Sequence, residues 1–334
     1  MQKKEDLVDI LFATYNTNIQ FLKIQIESIL NQTHKNIHLI ISDDNSTQKE
    51  VIETLKKYEE KDKRITVYYN KKNVGYIKNF TFLLEKSEAE YIMFSDHDDL
   101  WYKNKVKESL EKLKKENVDL VYSDAEQIDE KGEVLHKSYL KYKNMPKING
   151  RGNILAFSRH IAIGCSQIIT KKIKEQILQN KEEMMAHDWI SVYLASIQKG
   201  VACIEKPLFG YRLHTSNVFG GRSLKQNLSR WKQENGGSYK AYIKYRDKSI
   251  TDSYLNGTLM CAKYKQKLKI ENDNKNKEEK VIKYYEKIKK TKIINLRIYT
   301  YFKYLAFKGI GKRAIKEIFL FHFPLVSYIL YLMQ

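Results

Sequence analysis

Cysteine is scarce in this sequence, with three residues in a chain of 334. Cys165, Cys203 and Cys261 lie far apart, without the CxxC spacing of a zinc knuckle and without a partner for each thiol. The sequence therefore predicts neither a disulfide framework nor a structural zinc site. This cysteine usage is typical of a reducing compartment, so we predict a cytoplasmic protein.

Long apolar runs are also missing. No stretch of about 18 consecutive apolar residues occurs, so no membrane-spanning helix is predicted. Residues 1–6 are polar and lead directly into a predicted strand, without the basic and apolar segments of a signal peptide. We therefore expect neither secretion by that route nor a membrane-spanning protein.

Positive charge is abundant, and the formal net charge is +20. Residues 222–334 hold about 26 Lys and Arg against about 9 acids, which leaves the first 221 residues close to neutral. We predict a catalytic domain over residues 1–221 and a basic, tyrosine-rich helical region over residues 222–334. The whole chain is 42% hydrophobic, and a chain of 334 residues is long enough to bury a substantial core.

Short apolar runs alternate with helical patterns along the first part of the chain. This alternation predicts an α/β fold, with a mostly parallel sheet and helices on both faces. The first four predicted strands are residues 7–13, 37–42, 65–69 and 91–94.

The rest of that domain is less regular. Residues 120–123 are predicted as a further strand, and residues 161–170 as a strand or buried segment. The turn-rich, polar residues 129–152 are predicted to form a mobile excursion. Ser46 or Thr47 is expected to cap the helix that begins near residue 49.

The fourth predicted strand ends in Ser-Asp-His-Asp-Asp at residues 95–99, which places three carboxylates within four positions. Such carboxylates repel one another unless a cation or several donors neutralise them. This stretch alone is compatible with a divalent-metal site and with a solvated acidic turn that caps the next helix.

Polar residues follow the other strands as well, and ligands of open α/β sheets bind outside the carboxyl ends of strands. That convergence favours the binding site over the acidic turn. The polar residues at this predicted edge are Thr14, Tyr15, Asp44, Asn73, Lys78 and the acids at 96–99.

In this order the motifs resemble the nucleotide-sugar-dependent glycosyltransferases of family 2, which have the GT-A fold. The likeness extends from residue 7 to about 220, and implies a nucleotide-sugar half (1–125) and an acceptor half (126–221). No single motif is specific, but five of them occur in the family's order. They are Thr-Tyr-Asn at 14–16, Asp-Asp-Asn-Ser at 43–46, Asn-x-Gly at 73–75, Asp-x-Asp at 96–98, and Asp188 before a helix.

A narrower resemblance concerns Ser-Asp-His-Asp-Asp-Leu-Trp at 95–101, with Tyr-Ser-Asp at 122–124 and Tyr-Arg-x-His at 211–214. Together they look like the bacterial rhamnosyltransferases of surface-polysaccharide assembly. This likeness implies a nucleoside-diphosphate sugar as donor, with dTDP-L-rhamnose as the candidate. It also implies an acceptor that is a growing surface glycan or a lipid-linked saccharide.

The resemblance implies nucleotide-sugar contacts, in which Asp44 accepts a hydrogen bond from the base and Asp43 is structural. For Asn73 and Gly75 the alternative is a helix-entry turn, and for Lys78 it is an ordinary surface position. The residues implied to bind nucleotide sugar are Thr14, Tyr15, Asn16, Asp44, Asn73, Gly75, Lys78, Asp96 and Arg212.

The resemblance also implies that Asp98, with Asp96 and His214, holds Mg²⁺ or Mn²⁺ against the diphosphate. Asp99 is expected to serve the following helix, and His97 to point into the sheet. A lone basic residue such as Arg212 or His214 can equally be a surface group. Trp101 and Trp189 are expected in the core rather than on a sugar face.

Asp188 stands in the family's position for the general base of an inverting transfer, which needs one carboxylate and no second nucleophile. His187 is expected to orient it. The alternative role for Asp188 is an N-terminal helix cap, and the two roles are compatible.

The predicted function is therefore a metal-dependent, inverting glycosyltransferase. One alternative is a sugar nucleotidyltransferase, although Asn16-Thr17-Asn18 does not supply the glycine- and lysine-rich loop that it needs. The other is a non-catalytic, basic protein of the membrane surface.

The apolar and aromatic residues 318–332 are too few to span a bilayer but can lie in its interface, on an anionic inner face. A helical subdomain that packs on the catalytic domain or dimerises is the alternative. Nucleic-acid binding is not expected, because no recognised module is present.

Overall fold

A computed structural model describes residues 5–143, 145–158, 160–214, 256–270 and 275–290. One sheet contains all the strands among them. The strands are β1 (Val8–Thr14), β2 (Ile37–Asp43), β3 (Ile65–Tyr69), β4 (Tyr91–Ser95), β5 (Leu100–Trp101), β6 (Leu120–Ile128), β7 (Val134–His136), β8 (Gln167–Thr170) and β9 (Val201–Arg212).

Helices connect these strands and continue beyond the last one. They are α1 (Ile19–Leu30), α2 (Lys49–Lys61), α3 (Tyr76–Lys86), α4 (Lys105–Glu116), α5 (Tyr139–Tyr142), α6 (Ile154–Ser158), α7 (Lys171–Leu178), α8 (His187–Ser196), α9 (Asn256–Lys267) and α10 (Lys275–Lys290). Single 3₁₀ turns precede β8 and α8, at Gly164–Ser166 and Lys181–Glu183.

The strand order is β3-β2-β1-β4-β8-β6-β9-β5, with β7 paired to β6. The first four strands are parallel, and the longest ladders, β1 with β2 and β6 with β9, are parallel too. The predicted α/β fold with a mostly parallel sheet is confirmed. Strand β8 lies antiparallel between β4 and β6, which was not predicted, because an apolar run has no sign of strand direction.

Both faces of the central strands are buried. Every residue of β1 is buried, as expected for a strand covered by helices on two sides. Trp101 and Trp189 are 2% and 4% exposed and belong to this core, as predicted.

The predicted cap of α2 is wrong. This helix follows Gln48, and no described side chain caps it. Ser46 instead donates through its hydroxyl to Asp43 Oδ1 at 2.6 Å and through its N–H to Asp43 Oδ2 at 2.8 Å. The Thr47 N–H donates to Asn16 Oδ1 at 2.8 Å. Ser46 and Thr47 therefore bond to residues at the ends of β1 and β2 instead of capping α2. Asp43 has the structural role expected of it.

The prediction that Asp99 serves the following helix is also wrong. That helix begins at Lys105 after Asn104, whereas Asp99 is fully buried. Its Oδ1 accepts a hydrogen bond from the Arg212 N–H at 3.2 Å, on the neighbouring chain segment of β9. Asp99 therefore belongs to the interior of the acidic cluster.

The excursion after β6 contains regular structure. It forms β7 and α5, and the buried Asp124 carboxylate accepts hydrogen bonds from the Ser138 hydroxyl and the Leu140 N–H, at 2.5 and 3.0 Å. A buried acid therefore anchors the segment to the sheet.

Helices α9 and α10 pack on α7 and α8. The Tyr264 hydroxyl donates to the Ile177 carbonyl at 3.1 Å, and the Tyr193 hydroxyl donates to Glu278 at 3.1 Å. Within the part of the chain that is described, no helix combines the length and apolarity needed to cross a bilayer. The predicted interfacial segment, residues 318–332, lies outside the described residues, and the boundary at residue 221 stays a prediction.

Gly257 fixes how closely α9 approaches α8. A Cβ atom at this position would lie 2.1 Å from Trp189 Cζ3, so only glycine fits. In an open helix, Gly→Ala stabilises by up to about 1 kcal/mol. We predict that Gly257→Ala instead lowers the free energy of unfolding by about 1–3 kcal/mol, measured by urea denaturation. Gln266→Ala, at an exposed position of α9, is the control, and a stabilised Gly257→Ala variant would contradict the packing.

Candidate functional site

The parallel strands β1, β2 and β4 bring their polar ends to one edge of the sheet. Thr14 is opposite Asp43 in the β1–β2 register, and Phe12 is opposite Ser95 in the β1–β4 register. The Asp44 N–H also donates to the Thr14 carbonyl at 2.8 Å. Residues from distant parts of the chain therefore meet here because parallel strands all end on the same side.

Asp44 organises the turn that leads into α3. Its carboxylate accepts hydrogen bonds from the Val74 and Gly75 N–H groups, each at 2.8 Å, and from Asn70 Nδ2 at 3.0 Å. Gly75 has φ +83°, a conformation that favours glycine. The buried acid at the tip of β2 therefore holds the predicted nucleotide-binding turn, while Asn73 is exposed.

The residues after β1 form the neighbouring wall. Asn16 has φ +43°, and its N–H donates to the Ser46 hydroxyl at 2.8 Å. Tyr15 is 44% exposed, which leaves its ring available to a flat ligand. Thr14 is buried, and its hydroxyl has no hydrogen-bond partner among the described residues. Lys78 is exposed on the first turn of α3.

The acidic cluster follows β4. Burial, and then the charge of Asp98, raises the pKa of Asp96 to about 6. Burial, and then the charges of Asp98 and Asp96, raises the pKa of Asp99 well above its usual range. Asp99 Oδ2 is buried and lacks a hydrogen-bond partner within the described structure. The three acids therefore cannot all ionise freely without added positive charge.

Asp98 differs from its neighbours. Burial opposes its ionisation, but the charge of His97 and a hydrogen bond from His214 outweigh burial and lower its pKa. His214 Nε2 lies 2.7 Å from Asp98 Oδ2, and His97 Nδ1 lies 3.3 Å from the Ala13 carbonyl. The structure thus brings together two of the predicted metal ligands, Asp98 and His214.

Potential metal-binding atoms lie within 4.8 Å of one another at Asp96, Asp99 and Cys165. The sequence did not indicate Cys165. Burial, and then the charge of Asp99, raises the pKa of its thiol well above the usual range. The site therefore offers carboxylate oxygens together with a thiol that remains protonated.

Arg212 is buried rather than exposed to a ligand. Its guanidinium donates to the carbonyls of Asp98, Asp129 and Glu130 at 2.8, 3.0 and 3.1 Å, and lies 4.6 Å from the Phe21 ring centre. These contacts tie the end of β9 to the acidic cluster. The predicted role of Arg212 in nucleotide-sugar binding stays a prediction.

Asp188 lies in the first turn of α8, where Ala186 and not Asp188 occupies the cap position. His160 Nε2 is 2.6 Å from Asp188 Oδ2, and the Trp189 N–H donates to Asp188 Oδ1 at 2.9 Å. Burial disfavours its ionisation, but the charge of His160 and its hydrogen bond outweigh burial and lower the pKa of Asp188 to about 2. Asp188 is therefore an ionised carboxylate at neutral pH.

His187 is buried between aromatic rings, 4.3 Å from the ring of Phe80 and 4.6 Å from that of Phe94. Neither ring nitrogen has a hydrogen-bond partner among the residues described. Burial lowers the pKa of His187, so its imidazole stays neutral and packs as an aromatic ring. The expectation that it orients Asp188 has no hydrogen bond to support it.

The family model described as Glycosyl transferase family 2 matches residues 9–178, about half of the chain. The chain belongs to glycosyltransferase family 2. The predicted family and enzyme class are thereby confirmed, and the nucleotidyltransferase alternative has no support. The site described above lies mainly in the matched region, with Asp188, Arg212 and His214 beyond its end.

Among similar proteins, the dTDP-rhamnosyl transferase RfbG of Shigella flexneri is 29% identical over 265 residues, which cover 74% of this chain and 87% of that protein. An uncharacterised glycosyltransferase of Methanocaldococcus jannaschii is 28% identical over 229 residues, 66% of this chain and 76% of that protein. The chain spans less than a third of the length of matched Rickettsia glycosyltransferases. Residues 1–349 of S. aureus TarS superpose with a TM-score of 0.49 at 14% identity, covering 84% of this chain and 91% of that one.

Two further residues near the site of this family 2 glycosyltransferase, Lys105 and His160, were not predicted from the sequence. Lys105 is fully buried, and its ammonium donates to the Cys165 carbonyl at 2.8 Å and lies 4.0 Å from the Phe209 ring centre. Burial lowers the pKa of Lys105 to about 8. His160, the partner of Asp188, lies 28 positions from it in sequence. Neither had a sequence signal, because both contacts depend on tertiary packing.

A cavity of about 620 Å³ lies beside β7 and α5. His136 and Tyr142, whose rings stack 3.8 Å apart, line one wall, and Asp124 and Glu205 also contribute. Its described lining includes no member of the acidic cluster.

We expect replacement of Asp44 to destabilise the turn that leads into α3. Asp44→Asn places an amide N–H₂ against backbone donors at Val74 or Gly75, so a buried donor loses its acceptor. We predict a loss of about 1–3 kcal/mol in the free energy of unfolding, measured in urea. Glu53→Gln, which removes an exposed acid from α2, should leave stability unchanged. Equal stability of wild type and Asp44→Asn would contradict the role of this carboxylate.

Proposed function

We propose that this glycosyltransferase moves a sugar from a nucleoside diphosphate to an acceptor hydroxyl with inversion of configuration, in a metal-dependent reaction. The observation that carries the proposal is the contrast between two acidic centres at one sheet edge. Asp96 and Asp99 resist ionisation, whereas Asp188 is held ionised. When the surroundings of carboxylates at a reaction centre shift their pKa values in opposite directions, the carboxylates can have different roles in the reaction.

Asp188 suits the role of general base. An inverting transfer needs one carboxylate that takes the proton of the acceptor hydroxyl as its oxygen attacks the anomeric carbon. Asp188 is partly exposed, at 19% of its side chain, and its charge contributes to raising the pKa of Asp96. We propose that the base and the acidic cluster act on one bound donor.

The acidic cluster fits a divalent cation. Asp98 and Asp99 are buried, Asp99 Oδ2 has no partner among the described residues, and the pKa of both Asp96 and Asp99 is raised. Asp96 and Asp98 would hold the ion, with His214 beside them. Oxygen ligands favour Mg²⁺ or Mn²⁺, and the protonated thiol of Cys165 is a poor ligand. When bound, such an ion supplies positive charge that stabilises the departing diphosphate.

The donor proposal rests on the nucleotide side of the site. Tyr15 and the Asp44 turn would hold the base, with Thr14, Asn16, Asn73, Gly75 and Lys78 around it. We propose dTDP-L-rhamnose as donor, supported by the name of the Shigella flexneri relative, and a growing surface glycan or lipid-linked saccharide as acceptor.

Replacement of the base tests this proposal. With a panel of nucleotide sugars and saccharide acceptors, Asp188→Asn should lower the transfer rate by about 10²–10⁴-fold, because the amide cannot take a proton. Donor affinity, measured by calorimetry, should stay the same.

The matched control is Glu182→Gln, which removes the charge of an exposed acid just before α8. This variant should transfer sugar at the wild-type rate. Wild-type transfer by Asp188→Asn would refute the assignment of the base. Transfer from a sugar nucleotide other than dTDP-L-rhamnose would change the donor and leave the mechanism intact.

A further inference from the structure

His160 and Asp188 form a close contact that the transfer as described does not use. The distance from His160 Nε2 to Asp188 Oδ2 is 2.6 Å. Two bare acceptor atoms cannot approach so closely, so a proton lies between the nitrogen and the oxygen. The Trp189 N–H holds the other carboxylate oxygen at 2.9 Å. The orientation of Asp188 is thus fixed from two sides.

Among the described residues, the other titratable groups that interact with Asp188 keep one charge state around neutral pH or belong to the acidic cluster. His187 stays neutral, since burial lowers its pKa, and Tyr76 stays neutral, since burial and then the charge of Asp188 raise its pKa. Asp96 lies in the acidic cluster, where a bound cation would govern its charge. His160 is 33% exposed and can exchange protons with solvent. It is therefore the described partner of Asp188 through which a proton can be exchanged with solvent.

We propose that His160 is a positioning residue for the base, and that His160 and Asp188 share one proton and take up the acceptor's proton as a unit. The inference rests on the proposed function of Asp188. In the transfer, the acceptor O–H bond breaks and its electron pair forms the new bond to the anomeric carbon. The bond from that carbon to the diphosphate oxygen breaks, and its electron pair leaves with the nucleoside diphosphate. The acceptor's proton becomes the second proton of the His160–Asp188 pair.

This arrangement gives the activity a defined pH dependence. At low pH, solvent supplies the second proton and His160 becomes an imidazolium, whose charge keeps Asp188 ionised but makes this carboxylate a much weaker base, so proton uptake from the acceptor falls. As pH rises, the pair loses that proton and becomes a competent base. Transfer therefore increases with pH through one ionisation that belongs to the pair rather than to either residue.

The test compares variants that separate orientation from proton uptake. His160→Gln keeps an N–H donor near the carboxylate but cannot titrate. We expect a fall in kcat of about 10–100-fold, an unchanged KM for the donor, and loss of the rise in rate between about pH 6 and 8. His160→Ala removes the donor as well and should lose more activity. A purely structural role would change stability without flattening the pH profile.

The matched control is His38→Gln. This histidine also faces a buried acid, Asp9, with 3.5 Å between His38 Nδ1 and Asp9 Oδ1, but at the opposite end of β1 from the site. The transfer rate and pH profile of His38→Gln should match those of the wild type. A wild-type rate and profile in His160→Gln would overturn the proposal.

A second measurement does not depend on turnover. In the full chain with ¹⁵N-labelled histidine, Asp188→Asn should lower the NMR titration midpoint of the His160 ring by about one pH unit or more, because a nearby carboxylate favours the charged ring. An unchanged midpoint would overturn the pairing. A shifted midpoint in a protein that transfers no sugar would support the pairing and refute only the proposed function.

Discussion

Repulsion among three carboxylates at the end of β4 is the constraint on which this site depends. Asp96, Asp98 and Asp99 follow one another at a buried sheet edge, where ionised acids are costly. The structure counters this cost with several positive groups. His214 contacts Asp98 directly, the Arg212 guanidinium donates to the Asp98 carbonyl, and Lys105 is buried nearby. The pKa of Asp99 nevertheless stays raised, because burial and the charges of Asp98 and Asp96 outweigh these positive groups.

The second acidic centre is built differently. Asp188 is on a helix rather than a strand tip, has His160 as a close partner, and ionises easily. In the proposed transfer, a carboxylate that accepts a proton and carboxylates that hold a cation need different environments, and the surroundings of Asp188 and of the acidic cluster differ in this way. The Asp44 carboxylate requires no charge compensation of this kind, because it accepts hydrogen bonds from the backbone N–H groups of Val74 and Gly75.

The sequence was sufficient for the features that depend on local pattern. Alternating apolar runs predicted the parallel strands, and the polar residues after them predicted the edge at which Asp44 and the acidic cluster lie. Family resemblance, rather than spacing, singled out Asp188. Local rules failed where distant contacts compete: Ser46 bonds to Asp43 and Asn16 instead of capping α2, and Asp99 bonds to Arg212 instead of serving α4.

Other features had no local signal at all. Lys105 begins an amphipathic helix of alternating charge and resembles its exposed neighbours, yet it is buried against Phe209. His160 follows a turn-rich segment, and only the fold brings it to Asp188. The antiparallel direction of β8 likewise depends on the path of the chain before it.

The central claim is that the acids after β4 form a cation site for the donor's diphosphate, and calorimetric titration with dTDP tests it most directly. In the presence of Mn²⁺ the wild type should bind dTDP at least about tenfold more tightly than in EDTA, a difference of about 1.4 kcal/mol. Asp98→Asn should bind equally weakly under both conditions. Equal affinity of the wild type with and without the cation would contradict the account.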